Sequence, residues 1–135
     1  MRYGLLLIAL LALSPATSAF ADDCDNALDQ ASMNECAGAA YKKSDTELNS
    51  LYKQIQGRLK NDPDTLKLLV AAQRSWIAFR DAECTFSDSS AAEGSVYPMI
   101  YAQCLDGMTQ TRTESLKGYL NCEEGDMSCP VPAAD

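Results

Sequence analysis

The four residues Asn61-Asp62-Pro63-Asp64 constrain this chain most, because they separate two long stretches of helical periodicity by a break that leaves room only for a reversal. Upstream, Met33, Ala37, Tyr41, Ser44, Leu48, Tyr52, Ile55 and Leu59 form one amphipathic stripe that ends near Lys60. Downstream, Leu66, Leu69, Val70, Gln73, Ile77, Arg80 and Cys84 continue the helical period to about Phe86. Asp62 reads as an N-cap and Pro63 as the first helical residue, where its missing N–H costs nothing. Asp64 then complements the helix dipole. Two long helices joined this tightly are expected to lie antiparallel.

The rest of the chain supplies one more helix. Ser32-Met33-Asn34-Glu35 matches a capping box and places the start of the first helix at Ser32. Residues 87–95, rich in Ser and lacking an apolar anchor, with Gly94 near the end, read as a mobile loop. Ser95 is positioned to cap a third helix that tolerates Pro98 in its first turn. Its stripe is Tyr97, Tyr101, Cys104, Met108, Thr111, Ser115 and Tyr119, ending near Leu120. The expected fold is all-α: an up-down-up three-helix antiparallel bundle stapled by disulfides.

Residues 1–21 read as a secretory signal, with Arg2 as its charged start, Leu5 to Leu13 as its apolar run and Ala19-Phe20-Ala21 as its cleavage site. The apolar run is too short to span a bilayer, and Ala21-Asp22-Asp23 before Cys24 does not fit a lipid-attachment site, so no membrane anchor is expected. The remaining residues divide into one domain, 22–121, and a disulfide loop with a flexible acidic tail, 122–135. Periplasm or secretion is the expected destination. The formal net charge of −8 argues against nucleic acid and favours a cationic partner.

Six cysteines in a small exported domain point to disulfides rather than to metal or catalysis. The bundle places Cys122 and Cys129 together at one end, predicting Cys122–Cys129. Cys24, Cys36, Cys84 and Cys104 lie towards the other end and leave three arrangements, of which Cys24–Cys36 with Cys84–Cys104 is preferred. A single helix would hold Cys24 and Cys36 about 18 Å apart. Their pairing therefore needs a fold-back before Ser32, where the capping box independently starts the helix. The chain has no histidine and no C-x-x-C, so no metal, cofactor or catalytic set is expected and the protein is read as a non-enzyme.

Several polar residues share the buried stripes and need partners: Asp45 and Asn49 on the first helix, Gln73, Arg74 and Arg80 on the second, and Arg112 on the third. The expectation is a half-buried network in which Asp45 pairs with an arginine while Asn49 and Gln73 satisfy the remaining donors and acceptors. Such a network fixes helix register. The competing role is a recognition patch around Trp76 and Arg80, since Trp and Arg are enriched among interface hot spots.

Met33-Asn34 with Cys36-Ala37, then Asp45 with Leu48-Asn49 and Tyr52, then Ala72-Gln73-Arg74 with Trp76 and Arg80-Asp81 ahead of Cys84, then Gly94-Ser95, Cys104 and Thr111-Arg112, together resemble the LprI-like lysozyme-inhibitor family of bacterial exported proteins. The resemblance spans about Cys24 to Leu120. It implies a small helical, disulfide-bonded periplasmic domain with a protein partner and, by the family's name, inhibition of lysozyme. A strongly acidic domain suits a basic lysozyme. The expected binding elements are the 87–95 loop through Asp88 and Glu93, and secondarily the loop carrying Glu123 and Glu124, with Trp76 as a further contact. The alternative is an envelope interaction module without lysozyme inhibition. Oligomeric state is left open.

Overall fold

Two of the three long helices in this protein begin at a capping aspartate. The computed structural model describes Cys24 and residues 26–134, so the expected leader lies outside the described residues. The first helix, α1, runs Gln30–Arg58 and is capped by Asp29, whose carboxylate accepts the Ser32 N–H at 3.0 Å and the Ser32 hydroxyl at 2.7 Å. The helix therefore starts ahead of the capping box at Ser32, because the anionic Asp29 satisfies the free N–H groups and Ser32 is already inside the first turn. The second helix, α2, runs Pro63–Ser87, and its cap Asp62 accepts the Thr65 N–H at 3.1 Å with Pro63 opening the helix. The third helix, α3, runs Tyr97–Leu120 without a side-chain cap. Ser95 instead offers its carbonyl to the Asn34 amide at 3.1 Å.

The bundle is up-down-up. Gln30 and Asn34 on α1 meet Met99 and Ser95 at one end, while Arg58 Nη1 donates to the Leu120 carbonyl at 2.7 Å at the other, so α1 and α3 run parallel. These two helices pack closely along much of their length, and α2 stands further off. The side chains explain the difference. Ala37 and Ser44 on α1 and Ala102, Thr109 and Thr113 on α3 are buried and small, which lets the backbones approach, whereas α2 offers Gln73, Trp76 and Arg80. Among the described residues there is no strand, and no helix is long and apolar enough to cross a membrane.

The α3 stripe read from sequence is only half of what α3 buries. Cys104, Met108 and Arg112 face α2, but Thr111 and Ser115 are exposed. Ala102, Leu105, Thr109, Thr113 and Leu116 form a second, more deeply buried face against α1. A helix packed between two others buries two faces, and the threonines hide in such a pattern because Thr113 returns its hydroxyl to the Thr109 carbonyl at 2.8 Å.

The apolar core is Leu48, Ile55, Leu59, Leu116 and Val131, with Leu66, Leu69, Trp76, Tyr119 and Leu120 packed around it. Val131 changes the picture of the C-terminal segment. Instead of trailing away as an acidic tail, the residues after Cys129 fold back so that Val131 fills the end of the core, and Arg58 Nη1 reaches the Pro132 carbonyl at 3.5 Å. An isopropyl group sheltered from water outweighs the acidic character of its neighbours. The 87–95 loop is also more regular than its composition implies. A 3-10 turn at Ser89–Ala91 is followed by Gly94 N–H to Ala91 carbonyl at 2.8 Å and Tyr97 N–H to Gly94 carbonyl at 3.1 Å.

Three disulfides join Cys24 to Cys36, Cys84 to Cys104 and Cys122 to Cys129. The second ties α2 to α3, whose packing is far sparser than that of α1 on α3. Replacing Cys84 and Cys104 together by alanine should lower stability by about 3 kcal/mol for a loop of this size, read from denaturant unfolding of oxidised protein. The caps give a second expectation. Asp62 is held below its ordinary carboxyl pKa of 3.8 by the Thr65 hydroxyl and then the Thr65 N–H, and Asp29 likewise by the Ser32 N–H and then its hydroxyl. A depressed folded-state pKa gives stabilisation that is present above the unfolded value and lost as pH falls through the folded one. Asp29→Asn with Asp62→Asn should flatten the fall in melting temperature below about pH 4; an unchanged acid limb would show that the caps contribute little.

Candidate functional site

Arg80 is the most unusual side chain in the bundle: a guanidinium only 6 % exposed, on a helix that buries little else. It reaches the interior because Gln73, Arg80 and Cys84 lie at helical spacing on the single face that α2 turns inward. Its Nε and Nη2 donate to Asp81 Oδ1 at 2.9 and 2.8 Å, its Nη1 lies 3.8 Å from Asp45 Oδ1 on α1, and the same Nη1 donates to the buried Thr109 hydroxyl on α3 at 3.4 Å. One side chain thus contacts all three helices. Its flat faces are used as well, with the guanidinium carbon 5.1 Å from the Trp76 ring centre and 5.5 Å from that of Tyr41.

A second arginine completes the layer. Arg112 Nε donates to Gln73 Oε1 at 3.1 Å, and its guanidinium lies 6.0 Å from the Trp76 ring centre. Trp76 therefore joins an Arg80 half, with Asp45, Asp81 and Thr109, to an Arg112 half with Gln73. Asn49 donates to Asp45 Oδ2 at 2.9 Å and to the Asp45 carbonyl at 2.8 Å, holding the carboxylate that faces Arg80. Burial raises the Tyr41 hydroxyl above its ordinary pKa, opposed by the positive charge of Arg80, so this ring stays neutral at physiological pH.

The structure thus brings Asp45, Asn49 and Arg80 together, and Gln73 with Arg112, but it leaves Arg74 outside. Arg74 is exposed, because one residue along a helix turns the side chain about 100° away from Gln73. Asp81 and Thr109 belong to the network and were not read from the sequence. Asp81 follows Arg80 directly, a spacing that helix periodicity gives no reason to pair, and Thr109 lies on the missed face of α3.

The loop residues are distributed between the two ends of the bundle. Asp88 ends α2 half-buried with Glu93 exposed nearby, while Glu123 and Glu124 lie at the opposite end. There, Asp62, Glu123, Glu124 and Asp126 surround an open groove of about 480 Å³ together with Val131 and Pro132. Asp126 is kept ionised below its ordinary range by the Ser128 hydroxyl and N–H, at 2.7 and 2.9 Å. A second open groove, about 600 Å³, lies between α1 and α3, lined by Lys43 and Lys117, of which Lys117 sits 2.9 Å from both Glu114 and Glu47, which raise its pKa. Among the described residues no group of three or more His, Cys, Asp or Glu is placed to hold a metal ion.

These features match known proteins in sequence. A family model described as "Lysozyme inhibitor LprI" matches residues 22–116. "Uncharacterized protein R02472" of Rhizobium meliloti is 34% identical over 113 residues, covering 76% of this chain and 81% of the relative. "Uncharacterized protein YecT" of Escherichia coli is 29% identical over 105 residues, covering 68% of this chain and 65% of the relative. No solved structure matches.

The Arg80 layer can be tested as a structural device. Removing one partner of a fully buried ion pair costs roughly 3–5 kcal/mol; here both carboxylates are partly open to water, so Arg80→Ala should cost about 2 kcal/mol. Arg80→Lys should recover only part of this, because an ammonium lacks the planar fork and the stacking faces. Urea unfolding gives the stabilities, and emission from the lone tryptophan, Trp76, should shift to the red in both variants. A variant of normal stability that loses only a binding partner would instead make Arg80 a recognition residue.

Proposed function

The chain belongs to the LprI lysozyme-inhibitor family, and we propose that it is an exported, non-catalytic protein-binding domain that inhibits a basic lysozyme. The observation that carries the reading, beyond family membership, is the acidic end of the bundle. Asp62, Glu123, Glu124 and Asp126 converge there around one concavity, next to a rigid core and a disulfide that hold the loop in shape. Preorganised carboxylates on a surface of the same sign attract a cationic protein at long range and speed encounter.

Of the two loops singled out by sequence, the one carrying Glu123 and Glu124 is the better inhibitory element. The 87–95 loop offers fewer free acids, since Asp88 is half-buried and takes a hydrogen bond from Ser87. Trp76 is half-buried against Arg80 and Arg112, which makes it part of the scaffold that positions both loops.

Titrating muramidase activity of a basic lysozyme with the folded, oxidised protein is the direct test. Inhibition should appear at micromolar protein and weaken as salt is raised past the physiological range. Glu123→Lys with Glu124→Lys should weaken inhibition by at least about tenfold, and Glu93→Lys should change it little. Absence of inhibition at a micromolar excess would leave the envelope interaction module as the reading.

A further inference from the structure

Helix α2 has a second apolar face that none of the described residues covers. Leu68, Ala72, Ser75, Phe79, Ala82 and Phe86 alternate in steps of four and three, the spacing of a heptad seam, and every one of them is exposed. Leu68, Phe79 and Phe86 are 70%, 58% and 76% exposed. This face is turned well away from the Gln73, Arg80 and Cys84 side that meets α1 and α3. Ordinary solvated helices carry polar groups here.

We propose that this face is a self-association surface, on which α2 of one copy packs antiparallel against α2 of a second. The sequence along α2 is self-complementary under that operation. A two-fold axis near Ile77 sets Leu68 of one copy opposite Phe86 of the other, Ala72 opposite Ala82, and Ser75 opposite Phe79, so each large side chain meets a small or apolar one. The small residues allow the two backbones to approach closely.

The residues beside the seam permit this approach: Ala71, Ala78 and Thr85 line one side of it, small and exposed, while the charged row Lys67, Arg74, Asp81 and Asp88 lies further round the helix. A parallel pair would instead set each ring against its own copy, Phe79 on Phe79 and Phe86 on Phe86, with Ser75 left facing Ser75. Two aromatic rings and a leucine leave on the order of 400 Å² of apolar surface per copy. With the alanines, pairing buries about 1,000 Å² in total, the size of a weak, reversible dimer. This face is separate from the acidic end, so a dimer presents two such ends.

Sedimentation equilibrium of the oxidised protein from about 1 µM to 1 mM tests the proposal, with an expected dissociation constant on the order of 10–100 µM. Phe79→Glu should weaken association by at least about tenfold, with an unchanged circular dichroism spectrum and melting temperature, because Phe79 is not part of the core. Ser75→Phe should also weaken it, since the new ring meets Phe79 of the other copy only in the antiparallel arrangement. A monomer at every concentration would overturn the proposal, and so would a dimer indifferent to Phe79→Glu. A dimer weakened by Phe79→Glu but not by Ser75→Phe would overturn the antiparallel pairing. Lysozyme titration with Phe79→Glu separates the two readings, because loss of the dimer leaves the acidic ends in place.

Discussion

A charged group that leaves water must find its compensation in the protein, and in this bundle Arg80 finds it on every helix at once. Asp45 supplies a counter-charge from α1, Asp81 from α2, and Thr109 an acceptor from α3, while the guanidinium lies over the rings of Tyr41 and Trp76. Satisfaction on this scale depends on register. Sliding α2 by a turn would strand the guanidinium against apolar or mismatched neighbours and leave the Thr109 hydroxyl without its donor, a penalty that purely hydrophobic contacts would not impose. The layer thus chooses among the several ways three amphipathic helices can pack.

That choice matters because α2 has little else to hold it. The α1–α3 pair closes on small side chains and on the apolar cluster around Leu48, Ile55, Leu59 and Leu116, but α2 contributes few buried apolar groups of its own. Its attachment rests on three kinds of restraint spaced along its length: the short turn at Asp62, the Arg80 layer near the middle and the Cys84–Cys104 link at its far end. A helix fastened by polar and covalent restraints can keep apolar residues on its outer face, which is the situation of Phe79 and Phe86.

Much of this was legible in the sequence, for reasons that can be traced to particular residues. Asp62-Pro63 announces a reversal because proline fits only the start of a helix, and the α1 stripe reads cleanly because α1 buries a continuous face. Asp45 with Arg80 and Gln73 with Arg112 were visible as polar groups on apolar stripes. What escaped was whatever depends on more than one periodicity or on distant packing. The α1-facing side of α3 contains threonines that look like surface residues until the Thr113 hydroxyl is returned to the backbone and the Thr109 hydroxyl is met by Arg80. Asp29 lost to a recognisable capping box three residues later, and Arg74 was grouped with a neighbour whose side chain points elsewhere. Val131 lay in a segment whose acids and prolines gave no hint that one isopropyl group would be captured.

The position of Val131 in the chain has an implication for the order of assembly. The cluster at the Arg58–Leu120 end draws Leu48, Ile55 and Leu59 from the first helix and Leu116 from α3, yet Val131 arrives more than ten residues after that helix is complete. The helices can gather and the Cys24–Cys36 and Cys84–Cys104 cystines can form while this end remains open to water. Closure needs the stretch that carries Val131, so the acidic rim around the groove takes its shape after the helices it rests on.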